Sequence, residues 1–475
     1  MPRCDVSDDV KSQSSWHDFC ASQGLNPHDH PVVLAVSGGV DSMAMAHILH
    51  QFWTQSSRHS PSGQTKSLRA LIIDHGIRPE SAQEAALTAE RLTALNIPNR
   101  VERLTGPAPQ KGVQEWAREQ RYRALWREAC RDQAVIVTAH HAEDQAETLL
   151  MRLAKGSGIK GLRGMRHQSE RHGITLLRPF LGLSKQVLRD YAVNEGIAFV
   201  EDPSNDNPVF ERVRWRQAQA DYDDLGFSVQ NLKRMAGAFS ALDQVMSDEI
   251  RRLKGKVFNL FPWGQGWLGH TEWQSLLDLA QRLVLAHILG QVSGTAYPPS
   301  QESLARLHDW VCDLPSKGRT LGGVELTPKK SGHGRMFIWV YPEAERPWQA
   351  KVYSEGYHII DGRWQVYLPQ DSRLEPLGER GFANAKKQML TKGQDADHLL
   401  SRWRALWRDA PARSFWRLPV VRYATKTLNN HPQDYLLALE DGAMIPHVSK
   451  AEMNKDERAM NANQAWMRFS GCYET

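Results

Sequence analysis

Cysteine is scarce in this chain: Cys4, Cys20, Cys130, Cys312 and Cys472 are scattered over 475 residues, with no Cys-x-x-Cys pair. An odd, dispersed set builds no disulfide framework and lacks the paired spacing of a zinc knuckle or iron–sulfur site, so the thiols read as reduced and mostly structural. Long apolar runs are also missing. Nothing approaches the roughly 20 apolar residues of a membrane span, and Met1 to Val10 carries Asp5, Asp8 and Asp9 where a secretory leader has its apolar segment. These absences predict a soluble, cytoplasmic protein with no membrane partner, while no motif speaks to oligomeric state. Nor is there a large excess of one charge: 59 basic against 54 acidic residues leave a net +5. That balance permits an RNA partner and leaves the matter to local clustering. There is no internal repeat, and the length corresponds to about three domains.

What the chain does have is a hexapeptide, Ser37-Gly38-Gly39-Val40-Asp41-Ser42, placed directly after the apolar run Val32 to Val36 and before a helical pattern. A strand-to-helix junction of this kind is suited to phosphate. Two glycines let the backbone approach an anion, the helix N-terminus offers unpaired N–H groups and the positive end of the dipole, and the serines add donors. Asp41 supplies a carboxylate able to hold Mg²⁺. The segment has neither the Lys of a Walker A loop nor the spacing of a dinucleotide fingerprint, which disfavours kinases, P-loop ATPases and dehydrogenases.

The pattern around the hexapeptide is βαβα. Apolar strands are expected at Val32 to Val36, Leu68 to Ile73, Val101 to Leu104 and Ala134 to Thr138, with helices at Met43 to Trp53, Ser81 to Leu95 and Val113 to Asp132. This predicts an α/β domain with a parallel, doubly wound, Rossmann-like sheet whose ligand lies beyond the carboxyl ends of the strands. Thr54 to Ser67 reads as a polar surface insertion. We place this first domain at residues 1–222. A mainly helical middle domain follows at 223–345, with helices at Gln230 to Leu253 and Leu276 to Leu289 and a short β-rich stretch ending at Val340. The third part, residues 346–475, follows a linker marked by Pro342 and Pro347. It is basic: between Lys386 and Lys426 there are ten Lys or Arg against three Asp, with Arg402-Trp403-Arg404 and Trp407-Arg408 interleaving rings and cations. Such a stretch suits RNA, although tryptophans at helical spacing also serve as core.

Further motifs follow the other strand ends. Asp74-His75-Gly76-Ile77-Arg78 closes the second strand, where Gly76 lets the chain turn around a flat ligand such as adenine or simply turn. His140-His141-Ala142-Glu143-Asp144-Gln145-Ala146-Glu147-Thr148 follows the fourth strand and opens a helix that carries Asp144 and Glu147 on one side. That pair can bind Mg²⁺ or an ammonium group, or be ordinary N-terminal capping. Arg118 and Arg121 share a helical face that is either a solvated stripe or a source of charge for adenylyl transfer. The Gly-rich loop Lys155 to Met165 suits phosphate contact or flexibility. Glu201 to Asn205 then leads into Arg212, Arg214 and Arg216, whose alternation invites an anion.

In this order the segments resemble the tRNA(Ile)-lysidine synthetase family within the pyrophosphate-loop ATP pyrophosphatases. The hexapeptide at 37–42 marks the superfamily. The set at 74–78, 117–122, 140–148, 155–165, 178–180 and 201–205 points to the narrower family, as does the Gly318 to Leu326 stretch. Glu143 stands where that family usually has Asp, and Val213 where Asn is common. The resemblance implies that ATP adenylates the carbonyl oxygen at carbon 2 of the wobble cytidine in the CAU anticodon of tRNA(Ile), after which free L-lysine displaces AMP. It further implies ATP and Mg²⁺ as cofactors. Ser37, Gly38, Gly39, Val40, Asp41, Ser42, Asp74, His75 and Gly76 would bind the nucleotide, Asp41 and Asp144 the metal. Asp41, Asp144, Glu147, Arg118, Arg121 and Arg212 would carry the chemistry, and the third part would bind tRNA. Two rivals are a pyrophosphate-loop tRNA cytidine thiolase, which calls for a paired cysteine that Cys130 lacks in sequence, and a nucleotide-dependent RNA-binding protein without turnover.

Overall fold

The computed structural model describes residues 16–25, 30–57, 67–76, 80–104, 109, 112–171, 174–200, 211–261, 264–293, 299–314 and 316–343, together with strand backbones at 351–353, 356–360, 364–368, 372–376, 419–423, 434–436, 438–439 and 466–469. The expected motif positions Ile77, Arg78 and Glu201 to Asn205, residues 344–347 of the proposed linker and the Arg402 to Arg408 segment lie outside the described residues, whereas Pro342 ends a strand. The chain divides into two compact units, Met1–Val245 and Met246–Glu474, with the last residue grouped with the first unit.

The first unit is built on a six-stranded sheet. After helix α1 (Trp16–Ser22) come β1 (Val32–Val36), α2 (Val40–Ser57), β2 (Leu68–Asp74), α3 (Ser81–Ala94), β3 (Asn99–Arg103), α4 (Val113–Cys130), β4 (Val135–Val137), α5 (Ala142–Ala154) and a single turn α6 (Ile159–Leu162). A hairpin, β5 (Gln168–Arg171) and β6 (Ile174–Leu177), precedes α7 (Lys185–Asn194), α8 (Glu211–Gln217), α9 (Gln219–Asp224) and α10 (Val229–Leu253). The sheet order is β3-β2-β1-β4-β6-β5, parallel except for β5. This is the expected α/β fold. The apolar run of β1 is covered on both faces, as central parallel strands require. Polar β3, with Arg100, Glu102 and Arg103, takes the edge, where charge discourages unwanted pairing. Helix α2 is buried through Met43, Ala44, Met45, Ala46, Ile48 and Leu49, and shares a core with Leu188, Tyr191 and Ala192 of α7.

The order of the strands positions the site. The chain proceeds from β1 outward through β2 to β3, then returns to place β4 on the other side of β1. The loops leaving β1 and β4 therefore diverge to opposite faces, and a crevice opens between them at the carboxyl edge. Those loops carry the hexapeptide and the double-histidine motif.

The second unit holds more strand than its helical pattern suggests. Strands β7 (Phe258–Leu260), β8 (Gly266–Gly269), β9 (Arg319–Leu321), β10 (Val324–Lys330) and β11 (Met336–Pro342) form an antiparallel sheet in the order β7-β8-β11-β10-β9. Helices α11 (His270–Gln274), α12 (Asp278–Ser293) and α13 (Gln301–Cys312) lie in the same segment. Trp273, Leu285, Leu307, Leu326 and Ile338 share its core. The later strand backbones make two four-stranded sheets. Among the described residues no helix is long and apolar enough to cross a membrane.

Candidate active site

The turn between β1 and α2 is held by its own side chains. The Ser37 N–H donates to Ser42 Oγ (3.2 Å), and the Ser42 hydroxyl donates to the Gly39 carbonyl (2.9 Å). Gly38 has φ +88°, in the left-handed region, and a Cβ there would lie 2.3 Å from Thr88 Oγ1 of α3. Conformation and space both call for glycine at that position. Gly39 is different, since a Cβ would meet only Ser37 Oγ, at 3.7 Å. The open side of the turn presents the start of α2, with Asp41 in its first turn. Asp41 Oδ1 is buried without a hydrogen-bond partner, and burial pushes this carboxyl above its ordinary pKa despite the nearby His141 and Lys185 charges.

Across the crevice His141 ends the β4 loop and caps α5. Its Nδ1–H donates to Glu143 Oε2 (2.9 Å), while Nε2 lies 3.4 Å from Asp144 Oδ2 and 3.8 Å from Asp41 Oδ2. Burial alone would depress this imidazole, but the Glu143 bond and the Asp144 and Asp41 charges outweigh it and raise its pKa. Asp144 is shifted the other way: desolvation is overcome by the adjacent His141 charge and backbone N–H, so the carboxyl is held below its usual range. The His141 N–H donates to Asp144 Oδ2 (3.2 Å), so the carboxylate also caps the helix. The structure thus brings Asp41 and Asp144 to one imidazole.

The donor set fits Mg²⁺. Asp41 contributes a buried, unpartnered oxygen and Asp144 a second carboxylate within the same few ångströms. No group of three or more His, Cys, Asp or Glu is arranged to hold a metal among the described residues. Two carboxylates completed by substrate phosphates and water are a common Mg²⁺ arrangement, whereas zinc needs a fuller protein set.

Glu147 sits deeper than Asp144. Its Oε1 accepts from Arg216 Nε (2.8 Å) and its buried Oε2 has no partner. Arg216 and Arg212 are four apart on helix α8 and share a face, while Arg214 is exposed on another. The three-arginine alternation is therefore not a single anion-facing row. Arg212 reaches Thr148 Oγ1 at 3.5 Å, beside Glu147. Arg118 and Arg121 pack over the Tyr122 ring, with Cζ 5.2 and 5.8 Å from its centroid. Arg121 is half-buried there, while Arg118 is exposed.

At the end of β2 the Asp74 carboxylate is engaged by protein: Oδ1 accepts from the Gly76 N–H (2.9 Å) and the Ser81 hydroxyl (2.6 Å), and Oδ2 lies 3.7 Å from Arg103. Gly76 has φ +61°. His75 Nδ1 is buried without a partner, and burial, reinforced by Arg121, lowers this imidazole's pKa. The Gly-rich loop is clamped. Gln145 Oε1 accepts from the Met165 N–H (2.6 Å), its Nε2 donates to the Met165 carbonyl (2.9 Å), and Arg152 donates to the carbonyls of Gly161 (2.7 Å) and Gly164 (3.0 Å). Arg163 and Arg166 pair with Asp243.

Sequence reasoning assigned no role to His141, Glu143, Lys185 or Arg178, and named Arg216 only as one of three alternating arginines. The doubled histidine was the available signal for the first. Lys185 carries none, because its N–H reaches Glu143 Oε2 (2.9 Å) only through the packing of α7 against α5.

The fold and this crevice define a pyrophosphate-loop nucleotide-binding unit, and a family profile described as a PP-loop domain matches residues 9–220. Among curated relatives, a tRNA(Ile)-lysidine synthase of Ruegeria pomeroyi is 35% identical over 362 residues, covering 74% of this chain and 80% of its own. One from Hyphomonas neptunium is 34% identical, covering 66% and 84%, and one from Novosphingobium aromaticivorans 35%, covering 68% and 91%. The chain belongs to the tRNA(Ile)-lysidine synthase family.

Proposed function

We propose that this chain forms lysidine on tRNA(Ile), using ATP to activate carbon 2 of the wobble cytidine in a CAU anticodon and free L-lysine to displace AMP. The observation that carries this reading is the crevice itself. A pyrophosphate loop and its partly unpartnered Asp41 face an acidic helix start across a strand-order switch, in a chain of this family.

The cytidine C2 carbonyl is a poor electrophile. Its oxygen attacks the α-phosphorus of ATP, pyrophosphate leaves, and the base carries an AMP ester in place of a free oxygen. An amine of lysine then forms the new C–N bond at C2, AMP departs with the oxygen, and one amine proton passes to a base. In this reading Ser37 to Ser42 hold the β- and γ-phosphates through backbone N–H groups and hydroxyls. Asp74, His75 and Gly76 shape the nucleotide side. Asp41 and Asp144 hold Mg²⁺, which supplies neutralising charge to the phosphates. Because an alkyl amine has a pKa of about 10.4, it arrives protonated. Glu147, with an unpartnered oxygen, and Asp144 suit capture and deprotonation of that ammonium. Arg118, Arg121 and Arg212 supply charge to an anion in the same crevice. The target base must leave its stack to be reached, and the basic third part, residues 346–475, supplies a surface for the tRNA.

The test is direct: incubate the protein with ATP, Mg²⁺, labelled lysine and unmodified tRNA(Ile), digest the RNA and weigh the nucleosides. The expected product is a cytidine bearing lysine at C2. Label left entirely free, or sulfur in its place, would remove this reading.

A further inference from the structure

Arginines in this unit differ in what faces them, and Arg152 donates to the carbonyls of the Gly-rich loop. Arg69, Arg100, Arg163, Arg166 and Arg216 each have a carboxylate in hydrogen-bond range. Arg118, Arg121, Arg178 and Arg212 have none within ion-pair distance among the described residues. They gather instead around one another and around Tyr122, whose ring lies under Arg118 and Arg121. Arg178, 9% exposed, donates to neutral partners, the Arg166 carbonyl (3.0 Å) and Ser169 Oγ (3.1 Å), and keeps a buried Nε without a partner. Arg212 bonds only weakly to a hydroxyl.

Such a group is costly for the empty protein. Burial lowers the basicity of Arg121 and Arg178, and repulsion from Arg118 adds to it in both. The same cations pull the Tyr122 phenol below its ordinary pKa even though burial opposes that. Four gathered cations with no carboxylate at ion-pair distance among the described residues are expected where an anion belongs.

Two anions enter the proposed reaction, a triphosphate and an RNA chain. The triphosphate already has the N-terminus of α2, with His141, Lys185 and Arg216 among the positive side chains that act on Asp41. The Tyr122 group acts on His75 and His140, in the loops that follow β2 and β4, and through Arg121 and Arg212 on Asp144. We infer that Arg118, Arg121, Arg178 and Arg212 seat a backbone phosphodiester of the RNA beside the target nucleotide, separate from the pyrophosphate loop. This rests on the lysidine reading, since it needs an RNA substrate in the crevice. A base drawn out of its stack brings its own 5′ and 3′ phosphates with it, and these require charge at the rim of the pocket.

The test uses the full-length protein with Arg118→Gln, Arg212→Gln and their Lys counterparts. Affinity for unmodified tRNA across a salt series, affinity for ATP without RNA, and the melting temperature are measured together. Each Gln variant is expected to lose about tenfold in tRNA affinity at low salt. The log–log salt slope should fall by about 0.7 for each phosphate contact removed, and the Lys forms should restore it. ATP affinity should stay within about twofold, and the melting temperature should hold or rise, because a repelling charge has gone. Weakened ATP binding with tRNA binding intact would assign the cluster to the triphosphate and overturn the inference. Unchanged binding of both, or a fall in melting temperature with tRNA affinity intact, would show a structural role and overturn it equally. A wild-type protein that makes no lysidine yet shows these tRNA effects would count against the activity alone.

Discussion

Gly38 shows how closely the pyrophosphate loop is determined. Its φ of +88° costs a non-glycine residue about 1–2 kcal/mol, and an added Cβ would enter the space of Thr88 Oγ1. Gly38→Ala is therefore expected to lower stability by at least that amount and to weaken ATP binding, as followed by thermal melting and nucleotide titration. Adding Thr88→Ala should recover only part of the loss, because it relieves the contact and leaves the dihedral. Asp41→Asn separates metal holding from folding. Its Oδ1 has no protein partner, so the variant should melt near the wild-type temperature while pyrophosphate release falls at least tenfold. At this scale the hexapeptide was legible because phosphate binding at a strand-to-helix turn demands particular residue types in a row. Asp74 was less so: a carboxylate one strand from the loop reads as a ligand, and only coordinates show its oxygens turned to Gly76 and Ser81.

Helix α5 links two motifs that look independent along the chain. A Cβ on Gly164, which has φ +73°, would lie 2.7 Å from the Gln145 amide, and that amide holds both polar groups of Met165. The acidic helix and the Gly-rich loop are thus one packed feature, and Gly164 serves close approach to a side chain. Gln145→Ala should cost about 2 kcal/mol from two lost hydrogen bonds. Faster amide exchange at Met165 should be its local signature, with strands β1 and β4 unaffected. Sequence could not show this, since a Gly-rich basic loop has the same composition whether it binds phosphate or is clamped. The hairpin β5–β6 was missed for a related reason: Gln168 to Arg171 is a polar edge strand without apolar alternation. Strands β1, β2 and β4 were readable because burial on both faces forces continuous apolar runs. Arg212 and Arg214 illustrate the opposite error, in which spacing of two suggests a row that a helix places on different faces.

For the molecule as a whole, buried histidines set the response to acid. Burial lowers the pKa of His47, His50, His75, His167 and His140, the last to about 3, while that of His141 in the crevice is raised. A base whose folded pKa is depressed stabilises the fold above its unfolded value, and that contribution is lost as pH falls. His141 acts in the opposite sense, with stability present below about 6.5 and lost as pH rises. Five against one predicts a melting temperature that falls on acidification below pH 6.5, with stability dropping by about 1.4 kcal/mol per pH unit for each net proton taken up on unfolding. His47→Gln, which can still bond Tyr191, should flatten that dependence. A different whole-molecule property, the salt dependence of tRNA binding, tests the third part of the chain. Ten Lys or Arg between Lys386 and Lys426 face three Asp, and Arg402, Arg404 and Arg408 alternate with tryptophans. If this segment follows the RNA backbone, Arg402→Gln, Arg404→Gln and Arg408→Gln combined should flatten the log–log salt slope by about 2 to 3, at 0.7 to 0.9 per contact. ATP binding at the pyrophosphate loop should not change, because that loop is completed by residues of the first unit. An unchanged slope in the triple variant would make the stretch ordinary surface and core, and would leave tRNA binding to the arginines of the crevice.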